Sequence, residues 1–223
     1  VFLVGDHVLK LKKPVRQPYL DFSTLARREF YCREELRLNS RLAAGVYLGL
    51  CALHWDGHAL ALVAEDARPR TGQTLEWLVL MRRLPRQRML DALIARDAVE
   101  PSEIDALAEI LIGFYRSLRA EDLAAAAYLA HFAREQVVNR EILLRPAFAL
   151  QAAGAALDRL DRALQRQAPL LRERAEQRCI VDGHGDLRPE HVCLLQPPVV
   201  IDALEFNAGV RRVDPLDEIA CLG

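Results

Sequence analysis

The sequence predicts an α+β protein in two parts: a small antiparallel β-rich part with one helix over residues 1–84, and a larger, mainly helical part over residues 85–223. Three observations carry this. Short apolar or alternating runs broken by Gly5-Asp6 and by Trp55-Asp56-Gly57 recur before residue 84, which is the pattern of hairpins. From Gln87 to Gln177 apolar residues recur at three- and four-residue spacing, the pattern of amphipathic helices. The chain then returns to two short apolar runs, Ile180-Val181 and Val199-Val200-Ile201, around a polar, glycine-bearing loop.

In order, Val1–Val4 and His7–Lys13 read as a hairpin, with Val8, Lys10 and Lys12 on one face of the second strand and Leu9 and Leu11 on the other. Pro14 and Pro18 end it. Phe22–Ala43 reads as a helix capped by Asp21 or Ser23. Tyr31, Cys32, Leu38, Asn39 and Leu42 surround Glu35 at helical spacing, so this acid lies on a largely apolar face and needs a cationic partner. Val46–His54 and His58–Ala64 form a hairpin, and Thr74–Met81 a further strand that runs into Met81-Arg82-Arg83-Leu84-Pro85. Helices follow: Gln87–Ala95, one opening at Pro101-Ser102 with Ser102 and Asp105 as a capping box, and two more broken near Pro146 and Pro169.

Composition narrows the classes. With 52% hydrophobic and 27% charged residues the chain can build a core, and a net charge of −1 gives no general nucleic-acid footprint. No apolar run of 18 residues is present, so no membrane partner is expected. Five scattered cysteines without a C-x-x-C pair read as reduced thiols of a cytoplasmic protein. Starting at Val1 within a strand and stopping at Gly223, the sequence reads as a piece cut at both ends.

The densest chemistry lies in Val181-Asp182-Gly183-His184-Gly185-Asp186-Leu187-Arg188-Pro189-Glu190-His191, followed by Ile201-Asp202-Ala203-Leu204-Glu205. Glycines on both sides of His184 permit a sharp turn, and Pro189 keeps Asp186 out of a helix. Protein kinases carry H-x-D-L-x-x-x-N in the loop that holds their catalytic base. His184, Asp186 and Leu187 fit that order, while His191 stands where Asn is expected.

On these residues the chain resembles the aminoglycoside phosphotransferase-like branch of the protein kinase-like fold. The resemblance implies a bilobal architecture, with 1–84 as the nucleotide lobe and 85–223 as the catalytic lobe. It implies Asp186 as the base for an acceptor hydroxyl, with His184 bracing its loop, and Asp202 and His191 as the metal-binding pair. It also implies Lys10, held by Glu35 (with Glu34 and Glu29 as rivals for the acid), on the phosphates of ATP, with Lys12 a rival for the place of Lys10. Met81 would open the hinge against the adenine, and Asp217 would support the catalytic loop. ATP and Mg²⁺, or Mn²⁺ given the imidazole, are the implied cofactors, and a small hydroxyl compound the acceptor. The glycine-rich loop would lie at or before Val1, and a second ATP-binding domain beyond Gly223. Two other readings stay open: a catalytically impaired nucleotide-binding module, and a metal-dependent hydrolase using His184, Asp186, His191 and Asp202 as ligands.

Overall fold

A computed structural model describes residues 1–223 other than Pro18, Arg70, Ala149, Gln151 and Gly223. The chain is mixed α/β. Its strands are β1 (Phe2–Val4), β2 (His7–Leu11), β3 (Arg16–Gln17), β4 (Leu20–Asp21), β5 (Tyr47–Trp55), β6 (Leu60–Ala64), β7 (Gln73–Arg82), β8 (Val181–Asp182), β9 (Val192–Cys193), β10 (Val199–Val200) and β11 (Arg212–Val213). Its helices are α1 (Leu25–Asn39), α2 (Leu90–Ile94), α3 (Pro101–Ser117), α4 (Ala125–Leu143), α5 (Ala153–Glu176), α6 (Ala208–Arg211) and α7 (Pro215–Ile219). The expected strand end at Pro18 and the chain end at Gly223 lie outside the described residues.

Two compact units divide the chain: 1–118 together with 182–223, and 119–181. The first contains a five-stranded antiparallel sheet in the order β1-β2-β7-β5-β6. Strand alternation sorts its side chains as expected. Leu9 and Leu11 pack with Cys51 and Leu78 on one face. On the other, Trp77, Val79, Leu50 and Ala52 join Cys32 of α1 in the main core. Full burial of each such apolar side chain contributes about 1.5–3 kcal/mol. A bulge between Tyr47 and Gly49 breaks the β5–β7 register. The extra residue turns Tyr47 to the same face as Leu50, which unbroken alternation would forbid.

Helix α1 starts three residues later than the sequence suggests. Thr24 caps it, its Oγ1 accepting from Arg27 N at 3.3 Å, while Asp21 accepts from Ser23 instead. The capping box of α3 sits two residues earlier than expected, on Glu100 and Glu103. Pro101 at the first helical position needs no donor, which favours this start. Leu107, Leu111 and Phe114 are the buried stripe of α3, and Ile104 stays exposed.

The second unit is built on α4 and α5, with Tyr128, Ala175 and Ile180 at its core. Arg140 reaches Asp158 at 2.7 Å and Asp161 at 2.5 Å between the helices. The break expected near Pro169 does not occur, and α5 runs through it. The stop near Pro146 holds, where α4 gives way to a single 3₁₀ turn.

Candidate functional site

Lys10 on β2 and Lys12, the residue just past its end, present their ammonium groups to the same acid of α1. Lys10 Nζ lies 2.8 Å from Glu35 Oε1 and 2.5 Å from Asp202 Oδ1. Lys12 Nζ lies 2.6 Å from Glu35 Oε2 and also bonds Glu205 Oε1. The result is an alternating row of charges, Asp202–Lys10–Glu35–Lys12–Glu205, centred on a Glu35 that is 0% exposed. The choice between the two lysines resolves into two positions: Lys10 borders the open cleft beside Asp202, and Lys12, with its side chain 3% exposed, lies beneath. Burial opposes the charge on Lys10, but Glu35 and Asp202 outweigh it and hold the ammonium above its ordinary range. Burial likewise opposes ionisation of Asp202, and Lys10 overrides it, keeping the carboxyl below its usual value.

Asp202 follows β10 with φ +66°, a left-handed conformation that few residues other than glycine accept. Neighbouring contacts hold it there. Its N–H donates to Tyr47 Oη at 3.2 Å, and the next N–H, of Ala203, donates to Asn39 Oδ1 at 2.8 Å. Asn39 in turn donates to Glu35 O, one turn back in α1.

The loop 183–191 is fastened along its length. His184 is buried and uses both ring nitrogens on backbone: Nε2 donates to Ile201 O at 3.0 Å, and Nδ1 accepts from Asp186 N at 3.3 Å. Leu204 N donates to His184 O at 2.9 Å. Arg41 donates to the carbonyls of Asp182 and Gly183 at 2.8 and 2.7 Å. His191 Nδ1 donates to Asp186 O at 2.7 Å, which turns Nε2 toward Asp202 Oδ2, 3.7 Å away. His191 Nδ1 is also 3.7 Å from Asp186 Oδ2. His191 thus stands between the two carboxylates, both of which are partly exposed.

The acid under this loop is Glu218, not Asp217. Glu218 accepts from His184 N at 3.1 Å, from Gly185 N, and from Tyr115 Oη at 2.7 Å. Asp217 is exposed. Asp214 caps α7 and Pro215 starts it, and this phase brings position 218 inward. A Cβ on Gly183 would meet Glu218 Oε2 at 2.5 Å and Val213 Cγ2 at 2.7 Å, so the first glycine of the loop is required by close packing. Besides Glu218, the residues Glu205, Asn39, Arg41 and Tyr47 belong to the site without having been picked out for it in the sequence. Only Asn39 carried a signal, its place beside Glu35 on the apolar face of α1.

Burial lowers His184 to a pKa of about 4. The folded imidazole stays neutral while the unfolded one, near 6.5, takes up a proton first. The unfolded state therefore binds more protons between about pH 6.5 and 4, and stability falls as pH drops through that window. The full difference is on the order of 3 kcal/mol. Urea unfolding at pH 4.5 and 7.5 is expected to reveal the loss, and His184→Gln, which donates without titrating, to shrink it. An equal pH dependence in both proteins would exclude His184 as its source.

Two cavities meet at this site. One, of about 600 Å³, is lined mostly by apolar surface, with Val8, Tyr47, Met81, Leu84, Met89 and Ile201 among its walls, also takes in the charged Arg82, Arg83, Arg86, Asp91 and Glu190, and includes Lys10 and Asp202. The other, of about 370 Å³, contains Asp186 and is bounded by the same Lys10 and Asp202. Met81, Lys10, Lys12, Glu35, His184, Asp186, His191 and Asp202 therefore come together as the sequence suggested, while Asp217 does not join them. Among the described residues no three His, Cys, Asp or Glu side chains are arranged to hold a metal on their own. With both nitrogens engaged, His184 has no lone pair to offer as the fourth ligand of a hydrolytic metal centre.

No family model and no solved structure matches the chain. Proteins of Mycobacterium bovis and of Mycobacterium tuberculosis, each described as uncharacterized, are 32% identical to it over 230 residues. That match takes in the whole chain and 43% of each relative, so the chain spans less than half the length of these relatives.

Proposed function

We propose that this chain is the phosphoryl-transfer part of an ATP-dependent kinase that acts on a hydroxyl of a small molecule, with the bilobal protein kinase-like fold and aminoglycoside phosphotransferase-like ancestry. Residues 1–84 are then the nucleotide lobe and residues 85–223 the catalytic lobe. The observation that carries the reading is the pair of cavities sharing the Lys10–Asp202 ion pair as their common wall. One is an apolar slot suited to a purine, and the other holds an accessible carboxylate.

Phosphoryl transfer needs alignment and charge stabilisation more than covalent help from the protein. Lys10, oriented by Glu35, draws the phosphates to the boundary between the cavities. The acceptor oxygen forms a bond to the γ-phosphorus, and the bond from that phosphorus to the bridging oxygen breaks. ADP leaves with its electron pair, and the hydroxyl proton passes to Asp186. His184, neutral and fixed to backbone, keeps the loop in shape. Mg²⁺ commonly takes one or two carboxylates and completes its shell with phosphates and water, so Asp202 would be its protein ligand; the His191 imidazole suits softer ions than Mg²⁺, and Mn²⁺ would tolerate it better. Such an ion neutralises charge on the phosphates when bound. A cytoplasmic setting belongs to the same proposal, as does a second ATP-binding domain in the full-length protein.

Two observations favour the impaired, nucleotide-binding alternative: the Lys10 ammonium occupies Asp202 Oδ1 at 2.5 Å, and His191 replaces the expected amide. Calorimetric titration of the full-length protein with ATP and Mg²⁺ tests both readings. ATP is expected to bind, and Lys10→Met to weaken it roughly 10–100-fold, the equivalent of one charged hydrogen bond. Absence of ATP binding, or equal affinity in Lys10→Met, would overturn the proposal. Binding without transfer to any hydroxyl compound would select the alternative.

A further inference from the structure

The cavity that holds Asp186 is walled on its far side by Val15, Leu20, Phe22, Leu204 and Phe206. Phe22 and Phe206 stand edge to face, with centroids 6.5 Å apart. The charged groups in the same cavity cancel internally. Lys10 is paired with Asp202, and Lys12 with Glu205 and Glu35, while Lys12 Nζ also sits 5.1 Å over the Phe22 ring. Among the described residues the Asp186 carboxylate has no ion pair this close: Arg188 Nε is 3.9 Å and His191 Nδ1 3.7 Å from its oxygens. A polycation finds no surplus of acids here, and a phosphorylated sugar finds no cation that is not already committed to a carboxylate, apart from the exposed Lys13 at the rim.

Resting on the kinase reading, we infer that the acceptor is an uncharged alcohol with an apolar body, aromatic or aliphatic. Its carbon frame lies against Leu20, Phe22 and Phe206, and its hydroxyl points to Asp186. Small-molecule sites are commonly built this way, as apolar walls with a few placed polar groups. The oxygen of that alcohol attacks the γ-phosphorus and its proton goes to Asp186, so the product is a phosphate monoester and ADP. The segment between β2 and α1, which supplies Val15, Leu20 and Phe22, sets which alcohol is accepted.

The test uses the full-length protein and four probes in ligand-observed NMR: 2-phenylethanol, 1-hexanol, the polycation kanamycin, and glucose 6-phosphate. Both alcohols are expected to bind, and Phe206→Ala to weaken them roughly tenfold or more, as loss of a buried phenyl contact implies. Leu20→Asn serves as a second variant, and far-UV circular dichroism checks that each is folded. The inference is overturned if kanamycin or glucose 6-phosphate displaces 2-phenylethanol. It is equally overturned if no alcohol binds, or if both variants bind alcohols as the wild type does. Nucleotide binding by the wild type, measured in parallel, separates the two ideas. Alcohol binding that depends on Phe206, without ATP binding, removes the kinase reading and leaves the apolar-alcohol site.

Discussion

Replacing Asp186 with alanine is expected to lower turnover roughly 10²–10⁴-fold, the range associated with loss of a general base. The structure makes this substitution a clean one. The Asp186 side chain is 39% exposed, and its ion pairs among the described residues are no shorter than 3.7 Å, so its removal leaves no charge stranded in the interior. Its backbone is held independently, N–H to His184 and carbonyl to His191, and the loop keeps its form without the carboxylate. Stability should change by no more than about 0.5 kcal/mol. Steady-state assays with an accepted alcohol read the effect as a fall in kcat, with ATP affinity measured separately. Wild-type turnover in Asp186→Ala would remove this residue as the base.

Lys12→Met should act on stability instead, by about 3–5 kcal/mol, the usual cost of taking one partner from a buried ion pair. The methionine fills much the same space, so the effect is electrostatic. Two carboxylates lose their shared cation, Glu35 at 0% and Glu205 at 8% side-chain exposure. Glu35 keeps Lys10 on its other oxygen, while Glu205 is left facing an apolar side chain. Denaturant unfolding measures the change. Lys10, at the open cleft, has 27% of its side chain exposed, so Lys10→Met is expected to affect nucleotide affinity more than stability. Equal stability of Lys12→Met and wild type would show that the charge row contributes nothing to folding.

Local periodicity carried much of this architecture. The two-residue alternation running through β2 into Lys12 placed Lys10 and Lys12 on one face, and the helical spacing of α1 placed Glu35 among apolar neighbours. Periodicity could not choose between the lysines, because a carboxylate has two oxygens and each lysine takes one. Glu218 was missed by a single position: the inward direction of a short helix depends on where its cap falls, and Asp214-Pro215 fixed that. Tyr47 was hidden for a related reason, since a bulge reverses the face on which alternation puts it. Pro169 misled because a proline in a long helix removes one donor without necessarily ending it. Glu205 and Arg41 act over separations of 193 and 141 residues, beyond the reach of any local pattern.

The 119–181 unit begins and ends at one place: Ala120 bridges Val181 in antiparallel fashion, and Glu121 N donates to Ile180 O at 2.8 Å. The polypeptide enters and leaves this segment through a single doorway. Lengthening, trimming or exchanging the helices beyond it carries only a small loop-closure penalty, which grows slowly with length. Changes of length within 119–181 therefore leave the spacing of His184, Asp186 and Asp202 untouched.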